Sequence, residues 1–291
     1  MTPAEIARVR RFARAVTAEV GALDTSFLGR GRPLGAARVL NAIGAGRTEI
    51  GEIRSYLGLD SGLMSRLLRS LEEDGLVATV PHPADARRRV ASLTEAGRRE
   101  FDAYEALSNA RAVALLERAP RADNLLRAMD HVALVLGRDA IAITEAEPTG
   151  EAARACLAAY YAELAARFTG GFDVTLSSDP EASAMVRPRG VFLLAVSDGL
   201  PVGCVGLKGN GGPEAEIKRL WIDPASRGLG LAKRLMREAE DVARNLGIRR
   251  LRLDTNSALP EALALYRRSG WVEIDRFNDD PYPDHFFEKA L

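Results

Sequence analysis

The sequence EIKRLWIDPASRGLGLAKRLMR, residues 216–237, decides the fold of the second half of this chain. A strand-like run ends in a turn at Asp223-Pro224, and a segment with two glycines then leads directly into an amphipathic helix. The first N–H groups of such a helix lack intrahelical partners, and the helix dipole favours negative charge there. Because Gly228 and Gly230 let the backbone approach a ligand closely, this stretch predicts a site for an anion, in particular a pyrophosphate.

Arg227, Gly230 and Ala232 fit the pattern Arg-x-x-Gly-x-Ala, which resembles the acetyl-CoA-binding motif of the GNAT acetyltransferases. The resemblance covers about residues 140–291. AEI at 215–217 is similar to the family's fourth strand, RRLRLDTN at 249–256 to its fifth strand, and ALALYRRSGW at 262–271 to the following helix with its tyrosine. It implies an α/β fold with a mixed sheet, acetyl-CoA as co-substrate, and direct acetyl transfer without a metal.

The resemblance also assigns roles to individual residues. It implies that Glu216 accepts a proton from the acceptor amine, directly or through water, since only the neutral amine attacks. Tyr266 is expected to stabilise or protonate the departing thiolate, and Asn256 to bond the pantetheine arm. The residues expected to bind acetyl-CoA are Leu220, Trp221, Ile222, Arg227, Gly228, Leu229, Gly230, Leu231, Ala232, Asn256 and Tyr266.

Each of these roles has a simpler structural alternative. Glu216 could belong to a surface charge cluster with Lys218 or Arg219, Tyr266 could be a core aromatic residue, and Asn256 could merely end a strand. The acceptor is expected to be a small-molecule amine, and its identity does not follow from the sequence. Residues 169–189 are expected to shape its pocket, to which Tyr282, His285 and Phe286 could contribute if they do not simply pack.

The first half of the chain shows the pattern of a helix-turn-helix. Apolar spacing predicts helices from Pro3 to about Leu23, at Ala36–Ile43, and from Thr48 to Leu57. The turn Gly58-Leu59-Asp60 then leads into a helix at Ser61–Glu73, and two short helices joined by such a turn form this motif. Leucines 57, 59, 63, 67 and 71 are expected to form its core. A two-stranded wing and two long helices are predicted to follow, at Val77–Val80, Arg89–Leu93, Glu100–Ala119 and Ala122–Leu136.

The sequence EIRSYLGLDSGLMSRLLRSLEEDGLV at 52–77, and a wing with Asp85 and Arg87 before LTEAG at 93–97, resemble the MarR family of winged-helix regulators. The resemblance covers about residues 3–138. It implies a homodimer formed through the first and last helices, bound to double-stranded DNA at a pseudo-palindromic operator. The expected DNA contacts are Ser61, Ser65, Arg66 and Arg69 on the recognition helix, and Asp85, Arg87, Arg88 and Arg89 in the wing.

The chemistry of these side chains suits that task. Hydroxyl and guanidinium groups near the start of a recognition helix can reach bases or phosphates in the major groove. Arg87 at the wing tip could enter a narrow minor groove, braced by Asp85, while Arg88 and Arg89 contact phosphates. Alternatively, the arginines on the helix only solubilise an exposed face, and those in the wing form a solvated charge run.

Length and composition are consistent with two domains, which we predict at residues 1–138 and 139–291 of the 291. No apolar run approaches the roughly 20 residues of a membrane helix, so no membrane partner is expected. Cys156 and Cys204 lack metal-binding or redox spacing, which suits a reducing cytoplasm.

Three functions fit these observations. The first is a bifunctional protein, a transcriptional regulator fused to an acetyl-CoA-dependent N-acetyltransferase. The second is a regulator that senses acetyl-CoA or the acceptor without important turnover. The third is a small-molecule acetyltransferase whose winged helix only dimerises it. The presence of two complete modules, each with its functional residues, favours the first.

Overall fold

The computed structural model describes residues 1–137, 141–176, 182 and 184–291, apart from the side chains of Ala86 and Arg87. The chain forms two compact units, Met1–Ala122 and Asp123–Leu291. This division precedes the boundary predicted between residues 138 and 139, because helix α6 (Ala122–Leu136) contributes Leu134 to the core of the second unit. Among the described helices, none has both the length and the apolar character needed to span a bilayer.

The first unit consists of helices and one β-hairpin. Its first helix ends at Glu19, earlier than predicted. Its last helix begins at Glu95, before the predicted Glu100, because the Thr94 side chain caps it by accepting a hydrogen bond from Gly97 N at 3.0 Å. The elements are α1 Pro3–Glu19, α2 Leu34–Gly44, α3 Ile50–Leu57, α4 Ser61–Glu73, β1 Val77–His82, β2 Asp85–Leu93 and α5 Glu95–Glu117.

The helix-turn-helix is formed by α3 and α4. Gly58 ends α3 in the left-handed conformation (φ 63°), and Asp60 caps α4 by accepting from Leu63 N at 2.8 Å. The buried stripe of α4 consists of Met64, Leu68 and Leu71. Of the leucines predicted to form the core, Leu71 is buried, and Leu57, Leu59 and Leu67 are partly buried and pack against the core. Leu63 is only partly buried.

An ion-pair network joins the segment before α2 to α4 and α5. Arg30 Nη2 lies 2.5 Å from Glu100 Oε2, and Arg32 contacts both Asp74 at 2.7 Å and Glu100 at 3.1 Å. The Glu100 side chain is largely buried. The hydrogen bond from Arg30 lowers the pKa of Glu100, although burial acts in the opposite direction.

We expect this network to make the first unit sensitive to acid. Because the folded-state pKa of Glu100 is lowered, its contribution to stability is complete above the ordinary glutamate pKa of about 4.3 and is lost at lower pH. The free energy of unfolding should therefore fall more steeply between pH 6 and 3 in the wild type than in Glu100→Gln. Urea unfolding followed by circular dichroism measures this, while Trp221 and Trp271 fluorescence reports the second unit separately. Parallel pH profiles would contradict the prediction.

The second unit is a seven-stranded mixed sheet covered by helices, with strand order β3-β4-β5-β6-β7-β9-β8. Among the strand pairs of the described residues, only β6–β7 is parallel. Helix α8 packs its Leu231, Leu235 and Ala239 stripe on one face with α9, and α7 covers the other face. The elements are β3 Ala142–Glu145, α7 Glu151–Arg167, β4 Val191–Ser197, β5 Leu200–Gly209, β6 Glu214–Ile222, α8 Leu231–Asn245, β7 Arg250–Thr255, α9 Pro260–Arg268, β8 Val272–Ile274 and β9 His285–Ala290.

The sequence also predicts strands at Asp139–Glu145 and Trp271–Phe277. The structure contains a strand in each of these stretches, with shorter limits, Ala142–Glu145 and Val272–Ile274. Residues 139 and 140 lie outside the described residues.

Strands β6 and β7 separate halfway along their length. They pair from Glu214↔Arg250 to Ile217↔Leu253, and no further. Beyond that point β6 contains a bulge with Arg219 at φ 57°, while β7 continues along β9. Bulges bend a strand and break its pairing. The outer half of β6 therefore turns a backbone edge toward a cleft.

Candidate active site

The loop between β6 and α8 forms a row of unpaired amides. Asp223 accepts from Ala225 N at 2.8 Å and starts a short turn, after which Gly228 and Gly230 have φ of 80° and 77°. In the described part of the chain, no acceptor bonds the N–H groups of residues 228–233. A Cβ at either glycine would meet no heavy atom within 4 Å. These features make an open, positively polarised cradle that fits a diphosphate.

The guanidinium of Arg227 is directed elsewhere. Its Nε donates to Ile222 O at 3.1 Å, and its Nη2 lies 2.5 Å from Glu163 Oε2 on α7. The side chain is therefore not placed to contact the pyrophosphate as predicted, because Ile222 and Glu163 hold the guanidinium against the protein. Arg227 ties the start of the loop to the sheet instead.

The three residues at the end of β6 contribute mainly through their backbone. Trp221 buries its ring in the core under α7 and donates from Nε1 to Glu163 at 3.0 Å. Ile222 is buried on the opposite face, and Leu220 lines the cleft. Since β7 has left this edge, the backbone of Leu220–Ile222 faces the space where a pantetheine arm would add like a strand.

Asn256 also has partners within the protein. Its Nδ2 donates to Tyr282 O at 2.7 Å, and its Oδ1 accepts from Ala258 N at 2.8 Å. Both ends of the amide are thus used to fix the turn after β7 to the loop before β9. The side chain is therefore not available for the predicted bond to the pantetheine arm, because its amide supports the wall of the cleft instead.

Tyr266 lies at the base of a cleft that opens between β6, β7 and α7. It is buried and packs beside Trp271 and Phe287, with ring centroids 6.1 and 5.8 Å away. Burial and the nearby Asp254 carboxylate raise the pKa of Tyr266. Its hydroxyl therefore stays protonated at neutral pH and can donate a proton or a hydrogen bond.

Glu216 belongs to a charged cluster beside this cleft. Lys218 Nζ lies 3.2 Å from Glu216 Oε2 and 2.5 Å from Asp254 Oδ2, and Asn278 Nδ2 donates to the same Asp254 oxygen at 2.6 Å. Burial acts against the charge of Lys218, but the two carboxylates outweigh it and raise its pKa. The structure thus pairs Glu216 with Lys218 and places Asp254, which the sequence analysis missed, on the cleft wall.

The acceptor side of the cleft is aromatic. Tyr282 lines this side of the cleft, which was one of the two possibilities that the sequence left open. His285 bonds Glu273 at 2.6 Å, and Phe286 is buried against Phe277, so neither of them lines the cleft. The stretch from residue 169 supplies Phe172. Helix α7 and the residue after it supply four residues that the sequence analysis did not select: Tyr160, Tyr161, Leu164 and Phe168.

In the first unit, the residues predicted to read DNA share one face of α4. Ser61, Ser65, Arg66 and Arg69 are all exposed, opposite the buried stripe. Ser65 Oγ donates to Ser61 O at 2.8 Å, whereas Arg66 forms no hydrogen bond or ion pair with any residue that the structure describes. This face is therefore open to a partner.

The wing arginines have protein partners. Arg88 pairs with Glu49 at the start of α3, and Arg89 contacts Thr79 and lies 3.9 Å from Glu72. To contact phosphates as predicted, Arg88 would have to leave Glu49, and Arg89 would have to leave Glu72. Asp85 begins β2, and the predicted role of Arg87 in the minor groove concerns a side chain outside the described residues.

Comparison with known proteins finds matches to both units. Residues 157–271 match the acetyltransferase (GNAT) family, and residues 30–88 match the MarR family. An uncharacterized N-acetyltransferase of Schizosaccharomyces pombe is 34% identical over 121 residues, which cover 39% of this chain and 74% of that protein. An IAA acetyltransferase of Azospirillum brasilense is 34% identical over 117 residues, covering 38% and 74%. A GNAT acetyltransferase structure from Staphylococcus aureus, 21% identical, covers 52% of this chain and 99% of its own, with a TM-score of 0.45.

Proposed function

The chain belongs to the GNAT family of acetyltransferases through its second unit, and we propose that it combines acetyl-CoA-dependent N-acetylation of a small-molecule amine with transcriptional regulation. The observation that carries the transferase half is the row of unpaired amides at residues 228–233, open to solvent at the start of α8. The matching MarR segment supports the regulatory half. Regulation of genomic DNA would place the protein in the cytoplasm.

Direct transfer follows from the groups around the cleft. Acetyl-CoA, when bound, supplies a thioester whose carbon–sulfur bond breaks as the bond to the amine nitrogen forms. Glu216, beside Lys218, takes the proton that the attacking amine must lose, directly or through a water molecule. The Tyr266 hydroxyl donates a proton or a hydrogen bond to the departing sulfur. Amides 228–233 hold the diphosphate, and the free edge of β6 orients the arm.

Two measurements test the transferase half. Titration calorimetry with acetyl-CoA should give saturable binding at one site per chain. Release of free CoA thiol, followed with a panel of small amines, should then exceed the rate without an acceptor. Absence of acetyl-CoA binding would defeat this half of the proposal.

We expect Tyr266→Phe to lower kcat by about tenfold. The effect should be moderate because a thiol, with a pKa of about 8.5, leaves as a thiolate more readily than an alcohol or amine would. Acetyl-CoA affinity should stay within about twofold, since the ring remains packed beside Trp271. Steady-state rates and calorimetry check both quantities. An unchanged kcat would leave Tyr266 as a core aromatic residue only.

DNA binding by a dimer is supported by the surface of the first unit. Helix α1 exposes four apolar residues along one face: Ile6, Val9, Phe12 and Val16. Their spacing of three to four residues is typical of a helix that packs this face against a partner. Covering this face with a second copy would bury it and give two recognition helices related by a two-fold axis. A pseudo-palindromic operator follows from that symmetry.

We expect Arg66→Ala to weaken binding to an operator fragment from the protein's own promoter region by about tenfold, as for the loss of one base or phosphate contact. Arg99→Ala on α5 is the matched control, because it removes another exposed arginine, which forms an ion pair with Glu95 on the same helix. It should change the affinity by less than twofold. Mobility shifts at two salt concentrations measure both variants. If the protein binds no operator even at low salt, the winged helix serves dimerisation only.

One contact favours the second candidate, a regulator that senses acetyl-CoA. His131 Nδ1 of α6 lies 3.1 Å from Ala225 O, in the turn that starts the amide cradle. A ligand that immobilises the cradle would therefore also restrict the motion of α6, which follows the winged-helix elements in the chain. In that case acetyl-CoA should change operator affinity, and a Glu216→Gln variant should keep the change.

A further inference from the structure

A trio of charged side chains lies where strands β6 and β7 separate. The strands pair as far as Ile217↔Leu253, so Lys218 and Asp254 are the first residues beyond the pairing, and both line the cleft. The third member, Glu216, lies within the paired part of β6 and contacts Lys218 at 3.2 Å, without lining the cleft itself. Asp254 is therefore the carboxylate of the trio that a bound acceptor meets.

The two oxygens of the Asp254 carboxylate differ in their partners. Oδ2 accepts from Lys218 Nζ at 2.5 Å and from Asn278 Nδ2 at 2.6 Å. No donor among the residues that the structure describes bonds Oδ1. An ionised carboxylate accepts hydrogen bonds at both oxygens. One oxygen is thus held in place by the protein, and the other can accept a hydrogen bond from a ligand.

The trio formally carries one more negative than positive charge. Two carboxylates share the single ammonium group of Lys218, and the side chains of Lys218 and Asp254 are only 12 and 10% exposed. Arg219 and Lys208 line the same cleft, but their partners lie outside the trio. An excess charge that is shielded from water is unfavourable unless a counter-charge compensates it. The trio therefore favours a cation in the cleft.

We infer that Asp254 is a further catalytic residue, which holds the acceptor amine as its ammonium ion through a hydrogen bond to Oδ1. The acceptor is then an alkylamine, which is protonated at neutral pH, rather than an arylamine or an alcohol. Aromatic side chains such as Phe172 and Tyr282, with ring centroids 4.7 Å apart, pack against the rest of the molecule. This inference rests on the proposed acetyltransferase function and specifies which amines enter the site.

The proton balance uses groups already assigned to the reaction. The bound ammonium loses one proton to Glu216 through a water molecule, and the neutral nitrogen then attacks the thioester carbon. The carbon–sulfur bond breaks as the carbon–nitrogen bond forms, and Tyr266 protonates the departing sulfur. The second proton lost by the nitrogen restores the Tyr266 hydroxyl. Asp254 keeps its hydrogen bond to the nitrogen throughout and gains no proton.

Three ligands of similar size separate charge from shape. Benzylamine is an ammonium ion at neutral pH, benzyl alcohol is neutral, and benzoate is an anion, while all three carry the same ring. In calorimetry with the protein saturated with CoA, we expect benzylamine to bind at least tenfold more tightly than the other two, as for one charge-assisted hydrogen bond. Equal affinities, or failure of benzylamine to bind, would overturn the inference.

Asp254→Asn assigns the preference to one carboxylate. Asparagine keeps the shape and leaves Glu216 and Lys218 as a balanced pair, so the fold should persist. The affinity of this variant for benzylamine should fall to within threefold of its affinity for benzyl alcohol, with CoA affinity within twofold of the wild type. Asp280→Asn is the matched control, because Asp280 also lines the cleft and does not belong to the trio. It should weaken benzylamine binding by less than threefold, and equal losses in the two variants would contradict the assignment to Asp254.

CoA binding distinguishes failure of this inference from failure of the transferase proposal. A protein that binds CoA but does not prefer benzylamine lacks the proposed ammonium site, and its transferase function stands. Absence of both acetyl-CoA and CoA binding would defeat the transferase proposal itself. The comparison of the three ligands uses the wild-type protein, so it decides the charge preference even if Asp254→Asn does not fold.

Discussion

Replacing Gly230 with aspartate should weaken acetyl-CoA binding by about 100-fold or more. Gly230 precedes α8 at φ 77°, and a side chain there would project into the open cradle, since no heavy atom lies within 4 Å of its Cβ position. A carboxylate placed among amides 228–233 would repel the diphosphate. At an effective dielectric constant near 20, two charges 4 Å apart repel by about 4 kcal/mol, and 2.7 kcal/mol already corresponds to about 100-fold in affinity.

Gly230→Asn is the matched control for this substitution. Asparagine and aspartate have nearly the same shape, and both tolerate the left-handed region better than other non-glycine residues. The two variants therefore share the backbone cost and differ in charge. We expect Gly230→Asn to weaken binding by less than about tenfold, with equal melting temperatures for the two proteins. Acetyl-CoA affinity of Gly230→Asp within threefold of the wild type would show that the cradle does not hold the diphosphate.

Local features of the sequence predicted the cradle because all its parts lie within one short segment. The turn at Asp223, the glycines and the amphipathic stripe of α8 are neighbours in the chain, and each has a conformational preference of its own. Strand ends were less predictable, as at Val272–Ile274, because the pairing that ends a strand comes from its neighbours.

Side-chain partners across the fold could not be predicted from the sequence. Arg227 was expected at the diphosphate, yet Glu163, 64 residues earlier, holds its guanidinium. Asn256 was expected at the pantetheine arm, yet its amide bonds the backbone of Tyr282. Such pairs depend on which helix face packs beside which strand end. The aromatic lining of the cleft was not predicted for the same reason, since Phe172 and Tyr282 meet only in the folded chain.

Asp254 is a partial exception, because its position on the same face of the sheet as Glu216 could have been predicted from the sequence. The run LDT at 253–255 places an acid between two buried strand positions, so its side chain projects from the opposite face of β7. Glu216 occupies the same face of β6 at the partner position of Arg252. Strand alternation together with the β6–β7 register would have brought these two carboxylates to one side of the sheet.

Glu216→Gln should lower kcat by about 100-fold at neutral pH if this carboxylate accepts the amine proton. Lys218 would keep its 2.5 Å contact with Asp254, so no buried cation loses its last partner and the fold should persist. Glu214→Gln is the matched control on the same face of β6, where Glu214 pairs with Arg250 and Arg252 at 3.5 and 3.3 Å. It should change kcat by less than twofold.

The pH profile separates a proton acceptor from a residue that only stabilises the charged cluster. Without the carboxylate, the enzyme depends on amine that is already neutral in solution. The rate of Glu216→Gln should therefore rise about tenfold per pH unit up to the pKa of the acceptor amine, while the wild-type profile levels off earlier. Loss of the cluster's stability alone would lower the rate evenly across the profile. Equal effects of Glu216→Gln and Glu214→Gln would assign Glu216 to the surface charge cluster, and Asp254, already on the cleft wall, would become the carboxylate to substitute next.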